Sequence, residues 1–256
     1  MKNKFLRFIL LVVVLGAFVA MAAGSGSSNT PASQGQTSEG ASSSTAKEQT
    51  TAPSKNEKVE YSIGETSVHV WKTSIGTNRI KVAIPVTNIG DVNLYLSSSS
   101  VDIENSDGSL ATTMKTVSVF PQIIQPGETA YYYDETTYDG TNTEGLKVVP
   151  HVKAEKAKVD CIRLDVSDLQ IKESSLGPRV MGRVHNTTES KQSMVYVIAN
   201  LFDKDGKLIS QQFTILTDDL PAGEKIGFET SSLSTNLSVS DIASYEVIAY
   251  PHQFQF

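Results

Sequence analysis

The residues able to do metal chemistry are few and scattered along the sequence. The four histidines, His69, His151, His185 and His252, each lack a second His or Cys two to four positions later. Paired ligands at short spacing are typical of zinc sites. The run 203–206, Asp-Lys-Asp-Gly, resembles the start of a calcium-binding loop, but the third acidic position and the distant bidentate Glu are missing. We therefore expect no metal site, and we interpret 203–206 as a hairpin turn.

Signals for nucleophilic or acid–base catalysis are also weak. There is no Gly-x-Ser-x-Gly elbow and no glycine-rich phosphate loop after a strand. Asp218 and Asp219 are adjacent in a turn-like stretch, where solvation is the usual state of a carboxylate. Cys161 borders an apolar strand, which favours a small buried hydrophobe over a reactive or intermolecular thiol. We expect no enzyme activity, no catalytic residues and no cofactor, with an envelope hydrolase as the remaining catalytic alternative.

One cluster of aromatic residues suggests a contact surface. Tyr131, Tyr132 and Tyr133 are consecutive, and Tyr138 follows closely. Side chains alternate between the two faces of a strand, so Tyr131 and Tyr133 face outward if Tyr132 enters the core. Outward tyrosines next to acidic residues are typical of protein or glycan contacts. We therefore take Tyr131, Tyr133 and Tyr138 as a candidate partner surface; the alternative is that they cover a neighbouring strand or domain.

The composition limits the class of protein. The chain has 256 residues, of which 39% are hydrophobic and 20% charged, with a formal net charge of −6. These values exclude a collagen-like chain, a wholly disordered chain and a polytopic membrane protein. A basic nucleic-acid-binding surface is also excluded, so we expect no nucleic-acid partner. A single cysteine excludes an intramolecular disulfide framework.

Residues 1–23 have the pattern of a signal peptide or a signal-anchor. Lys2, Lys4 and Arg7 precede a run, 8–23, that is apolar apart from Gly16. The run is shorter than a comfortable membrane span, and Ala-Met-Ala at 20–22 favours cleavage after position 22. Cleavage leaves 19 Lys and Arg against 28 Asp and Glu, a formal charge of −9. An uncleaved anchor is the alternative, and it is the only route by which we expect membrane association.

Residues 24–57 form the predicted linker. This stretch contains no Val, Ile, Leu, Met, Phe, Tyr or Trp. Without large apolar side chains it cannot offset the entropy of ordering, so we expect it to be disordered. As a flexible coil it would span roughly 30 Å. We interpret it as a spacer that holds a folded module away from an envelope surface, or as an unstructured leader.

The remainder of the chain predicts an all-β fold. Short alternating apolar runs recur every 10–15 residues, with no long segment of helical period. This spacing favours antiparallel sandwiches over βαβ units. The one helical signal is a capped turn at 240–243. The predicted strands are 67–71, 79–88, 117–119, 129–133, 146–152, 162–171, 179–184, 194–202, 208–216, 225–228 and 245–250.

The two parts of the folded region resemble each other, which predicts a tandem repeat. Val-Thr-Asn at 86–88 matches Val-His-Asn at 184–186, and Asp-Gly at 107–108 matches 205–206. Pro-Gly-Glu at 126–128 matches Pro-Ala-Gly-Glu at 221–224, and Pro-His at 150–151 matches 251–252. We therefore expect two immunoglobulin-like sandwiches, domain 1 at 58–156 and domain 2 at 157–256. Each anchor has a structural explanation as a turn or a strand end.

The second part resembles the FxLYD-type domain of bacterial envelope proteins. The matching residues are Gly-Arg-Val-His-Asn-Thr at 182–187, Ala-Asn-Leu-Phe-Asp-Lys-Asp-Gly at 199–206, Leu-Pro-Ala-Gly-Glu-Lys at 220–225, and Phe228. Ala199 replaces the first aromatic residue of the motif, and Phe202 replaces its tyrosine. The first part matches less well, since Val-Asp-Ile-Glu stands at 101–104. The resemblance implies an immunoglobulin-like fold and an extracytoplasmic location, and it carries no catalytic residues.

These observations favour an exported, non-catalytic bacterial protein, secreted or tethered to the membrane. We expect its tandem sandwiches to act as a binding or structural module, with a protein or an envelope glycan as partner. The alternative binding function is the sensor or accessory ectodomain of a membrane complex. That alternative requires the N-terminal segment to remain uncleaved.

Overall fold

The N-terminal half of the folded region, residues 57–156, consists of ten β-strands. A computed structural model describes residues 57–231 and 236–253. The predicted signal segment and all of the predicted linker except Glu57 lie outside these residues. The strands of this half are β1 (Tyr61–Ile63), β2 (Ser67–Lys72), β3 (Asn78–Asn88), β4 (Leu94–Ser97), β5 (Ser99–Glu104), β6 (Leu110–Phe120), β7 (Ile123–Ile124), β8 (Thr129–Thr137), β9 (Lys147–Pro150) and β10 (Lys153–Lys156).

The C-terminal half, from residue 157, contains six strands and one short 3₁₀ turn. The strands are β11 (Asp165–Lys172), β12 (Arg179–His185), β13 (Val195–Phe202), β14 (Leu208–Leu216), β15 (Lys225–Glu229) and β16 (Ser244–Pro251). The 3₁₀ turn, Val239–Asp241, lies close to the predicted capped turn, and the backbone N–H of Ser238 donates to the Asp241 carboxylate at 2.8 Å. All strand pairs are antiparallel, so the predicted all-β class is confirmed.

Strand pairing follows the same order in both halves. In the N-terminal half, β2, β3 and β8 pair side by side, and β6, β5 and β9 do the same. In the C-terminal half the corresponding orders are β11-β12-β15 and β14-β13-β16. The N-terminal half differs because residues 118–120 of β6 also pair with β8, which joins its strands into one seven-stranded sheet. β10, β4 and β7 form a further small sheet there.

Each half has its own apolar core. Period-two alternation puts Ile80, Val82, Ile84 and Val86 of β3 into the first core, all fully buried. Val195, Val197, Ala199 and Leu201 of β13 enter the second core in the same way. Both cores lie within one compact unit of the chain.

The two matched asparagines, Asn88 and Asn186, make equivalent hydrogen bonds. The Asn88 side-chain amide donates to the carbonyl oxygens of Val92 and Ile124. The Asn186 amide donates to those of Ser190 and Leu220. In each case Oδ1 accepts the backbone N–H two residues ahead. The sequence predicts this local bond but not the bond to a carbonyl oxygen 34–36 residues away, which makes each asparagine a fully buried link between distant segments.

The repeated turns are also equivalent, apart from the last anchor. Gly108 and Gly206 have φ values of 82° and 76°, as the two Asp-Gly hairpin turns require. Pro150 pairs with Val101, three positions before the end of β5. Pro251 pairs with Val195, seven positions before the end of β13. The Pro-His pairs at 150–151 and 251–252 are therefore not equivalent in strand register.

Gly182, part of the family resemblance, is explained by close packing. A Cβ atom at this position would lie 2.7 Å from the Leu169 side chain and 2.9 Å from the Phe228 ring. Because Gly182 has no side chain, the Leu169 and Phe228 side chains can pack directly against the backbone of β12.

Candidate functional site

The outer face of β13 is covered by the N-terminal half. Val197 and Ala199 point into the second core, so Ile198 and Asn200 must point the other way. An isolated sandwich would expose that face to water, yet Ile198 and Asn200 are both 0% exposed. We call the contact that buries them the seam: β13 and β14 meet the end of β6 and the outer side of β8 there, in ring contacts. It is a third buried layer, separate from the two cores.

The candidate tyrosines divide between the core and the seam. Tyr132 is 1% exposed, and its hydroxyl donates to the carbonyl oxygen of Ser97. Tyr131 and Tyr133 accordingly face outward, but toward the C-terminal half: the Tyr131 ring meets Phe202 edge-on at 5.9 Å. Burial, the largest cause, raises the pKa of Tyr133. Tyr138 is only 4% exposed and donates to the carbonyl oxygen of Asn142. Tyr138 therefore lies in the first core, away from any surface.

Two cationic side chains, one from each half, donate hydrogen bonds across the seam. The Lys81 ammonium donates to the carbonyl oxygen of Ile209 at 2.9 Å. Arg163 donates to the carbonyl oxygen of Ile123 at 2.6 Å and to the Glu128 carboxylate at 2.8 Å. Burial is the main reason that the pKa of Lys81 is lowered. Hydrogen bonds to charged donors give the two halves a defined orientation.

A polar groove runs along one side of the seam. It consists of three depressions of about 500, 310 and 530 Å³ that share lining residues. Thr129 and Tyr131 line the first two, and Thr66, Ser67 and Lys207 line the last two. We call this feature the seam groove. Tyr131, predicted as a contact residue, lies where the first two depressions meet.

A row of aromatic rings crosses the seam. Its members, in order of contact, are Phe213, Phe120, Tyr196 and Tyr250, with His252 also against Tyr196. Successive ring centroids lie 5.6–6.2 Å apart, so neighbouring rings contact each other in offset arrangements. Phe213, at one end, is 48% exposed. The Arg163 guanidinium lies 5.7 Å from the Tyr250 ring at the other end. Through Phe120, this row joins the N-terminal half to the aromatic residues of the C-terminal half.

A hydrogen-bonded cluster of a threonine, an aspartate and a histidine has the wrong order for nucleophilic catalysis. Asp102 accepts hydrogen bonds from the Thr113 hydroxyl at 2.6 Å and from the His151 ring at 2.8 Å. In a catalytic triad the imidazole stands between the carboxylate and the hydroxyl. Here the carboxylate stands between the other two groups. The bond from Thr113, followed by that from His151, lowers the pKa of Asp102.

The other candidate positions have structural surroundings. The Asp203 carboxylate accepts the backbone N–H groups of Asp205 and Lys207, as a hairpin turn requires. Burial raises the pKa of the half-buried Cys161 thiol, which disfavours the reactive thiolate. Within residues 57–231 and 236–253, no three His, Cys, Asp or Glu side chains are grouped to hold a metal ion. The same residues contain no helix long and apolar enough to cross a bilayer.

Comparison with known proteins adds no assignment. No family model matches the chain, and no curated protein matches it significantly.

Sequence reasoning missed the residues that build the seam, although a signal for them exists. In the run 194–202, Met-Val-Tyr-Val-Ile-Ala-Asn-Leu-Phe, apolar residues occupy both strand faces. A strand that is apolar on both faces is typical of one buried on both sides. That pattern predicts a covered outer face on β13. It does not say that β8 covers it.

Proposed function

We propose that this protein is an exported, non-catalytic envelope protein that binds a partner in the seam groove. The observation that carries this proposal is the groove itself: three adjoining polar depressions, of which the first two are built by several residues from each half. Its lining combines threonine and serine hydroxyls, carboxylates, cations and one tyrosine ring. Ligand sites typically combine a shaped concavity with a few directed polar groups. The predicted signal segment and the FxLYD-type resemblance support the envelope location.

The groove proposal is tested by site-specific photo-cross-linking in living cells. A benzoylphenylalanine side chain replaces Thr129, a half-buried residue that lines the first two depressions. The control carries the same group at Ile75, which is 86% exposed. We expect discrete adducts from position 129 that position 75 does not give. The same adducts from both positions, or none from 129, would contradict the proposal.

Cleavage or retention of residues 1–23 distinguishes a secreted binding or structural module from a membrane-anchored sensor or accessory ectodomain. N-terminal sequencing of the exported protein should give a first residue of Ala23 if the segment is a cleaved signal peptide. A chain that retains residues 1–23 in the membrane fraction would support the sensor or accessory ectodomain instead.

A further inference from the structure

Among residues 57–231 and 236–253, no strand pairs along the outer edge of β16. Along its whole length it pairs with β13 on one side. On the other side it forms an isolated bridge, in which the Leu164 N–H donates to the Ala249 carbonyl oxygen at 2.8 Å. Beyond this bridge the chain leaves β16, because β11 pairs with β12 in the opposite sheet. Among the described residues, that bridge is the only pairing on the outer side of β16.

The bridge shows which backbone groups face the open side. Alternate residues of an antiparallel strand direct their N–H and C=O groups to the same neighbour. Since Ala249 points away from β13, Val247 and Tyr245 do so as well. Residues of the other alternate set face β13: the His252 backbone N–H donates to the carbonyl oxygen of Met194, the residue just before β13. An open row of N–H and C=O groups is a template for another strand.

The open edge borders the seam groove. Residues 246–249 line the first depression, of about 500 Å³. Opposite them lie residues 127–129 and Tyr131 of the N-terminal half. A strand added to β16 would therefore have its backbone on the sheet edge and alternate side chains in the groove. Such strand addition takes affinity from main-chain hydrogen bonds and specificity from side-chain pockets.

The charges of this depression indicate the kind of strand that fits. Glu128 and Glu246 line it together with one cation, Arg163, which already bonds Glu128. Glu246 is exposed beside the open edge. The depression therefore has one more acidic than basic side chain, and the whole chain also has a negative formal charge, −6. A basic segment is therefore the complementary partner.

We propose that an extended, basic peptide segment of a partner protein adds as a strand to the outer edge of β16, in the seam groove. This proposal rests on the proposed binding function and specifies its ligand. A glycan would bind through hydroxyl and ring contacts and would not need the backbone groups of Val247. Those groups therefore distinguish the two kinds of ligand.

The test uses the full chain and a fluorescent decapeptide of alternating Lys and Val, followed by anisotropy. Val247→Pro removes the outward N–H but no hydrogen bond to β13, so the strand should remain folded. Val247→Thr keeps the N–H and is the matched control. We expect Val247→Pro to weaken binding at least tenfold and Val247→Thr to stay within threefold of the parent. A Glu–Val decapeptide should bind at least tenfold more weakly than the Lys–Val one, and Glu246→Gln should reduce that difference.

Unchanged binding by Val247→Pro, equal binding of the two decapeptides, or no binding of the Lys–Val peptide would each overturn the proposal. If Val247→Pro unfolds in a thermal melt, the parent chain is tested with two Lys–Val peptides, one methylated on the backbone nitrogens of its lysines and the other on those of its valines. At least one of them should bind at least tenfold more weakly than the unmethylated peptide, and equal binding of all three peptides would refute strand addition. Specific cross-links from position 129 together with a failed peptide test would leave the groove function standing and remove only the strand proposal.

Discussion

Truncation of Ile198 tests whether the seam is a permanent buried layer. Ile198→Ala removes three carbon atoms from a fully buried side chain. At about 0.8 kcal/mol per buried carbon, the lost transfer free energy is about 2.4 kcal/mol. The cavity left behind raises the expected loss of unfolding free energy to about 3–4 kcal/mol. For a folded region of this size, that corresponds to a fall in melting temperature of about 10 °C.

The assay is urea denaturation of three variants that carry the same chemical change. Ile80→Ala, in the first core, has the same full burial and should cost a similar amount. Ile75, 86% exposed, should cost less than about 0.5 kcal/mol when changed to Ala. If Ile198→Ala behaves like Ile75→Ala, the halves separate freely in solution. The seam groove would then have no fixed shape, and the reasoning from it would fail.

Three further predictions concern single positions. Asn186→Ala should lower the unfolding free energy by about 2–3 kcal/mol, because it removes a fully buried amide that donates to the carbonyl oxygens of Ser190 and Leu220 and accepts the Thr188 backbone N–H; a loss below about 1 kcal/mol in urea denaturation would contradict this. Gly182→Ala should lower the unfolding free energy by about 1–3 kcal/mol through overpacking against Leu169 and Phe228. Gly227→Ala in the neighbouring strand β15 should be tolerated, because the nearest atom to its new Cβ is 3.9 Å away. Equal melting temperatures of the two variants would contradict this prediction. The lowered pKa of Asp102 means that its hydrogen bonds stabilise the fold above the unfolded value of 3.8 and are lost as pH falls through the lowered pKa. Asp102→Asn should therefore flatten the pH dependence of the melting temperature below pH 3.8, and parallel curves for the two proteins would refute this assignment.

Strands with clear alternation were predictable, and strands with few apolar residues were not. The runs at 79–88 and 208–216 lie within β3 and β14 almost residue for residue. β5 was missed because only Val101 and Ile103 mark its buried face, among serines and acidic residues. β7 was missed because a two-residue strand carries no period. Tertiary pairing, rather than local pattern, defines such strands.

The candidate site was predictable only in part. The sequence singles out Tyr131 because period-two geometry turns it outward if its neighbour Tyr132 enters the core. The same reasoning placed Tyr133 on the outer face but could not show that the C-terminal half covers it. Tyr138 is close to Tyr131 and Tyr133 in sequence but not in position. It comes directly after strand β8, and its side chain is buried in the first core.

The sequence by itself determined the antiparallel strands, the recurring turns and the scarcity of reactive groups, because alternation, Asp-Gly turns and residue spacing are local properties. It also placed Asn88 and Asn186 at matching positions. Only the tertiary structure decided that β13 is buried on both faces and that Arg163 and Lys81 reach across to the other half. Only the tertiary structure shows that, in the part of the chain it describes, the outer edge of β16 is unpaired along most of its length and lies beside a groove. These features depend on which surfaces meet at long sequence separation, and an outward side chain has the same local pattern whether water or another sheet covers it.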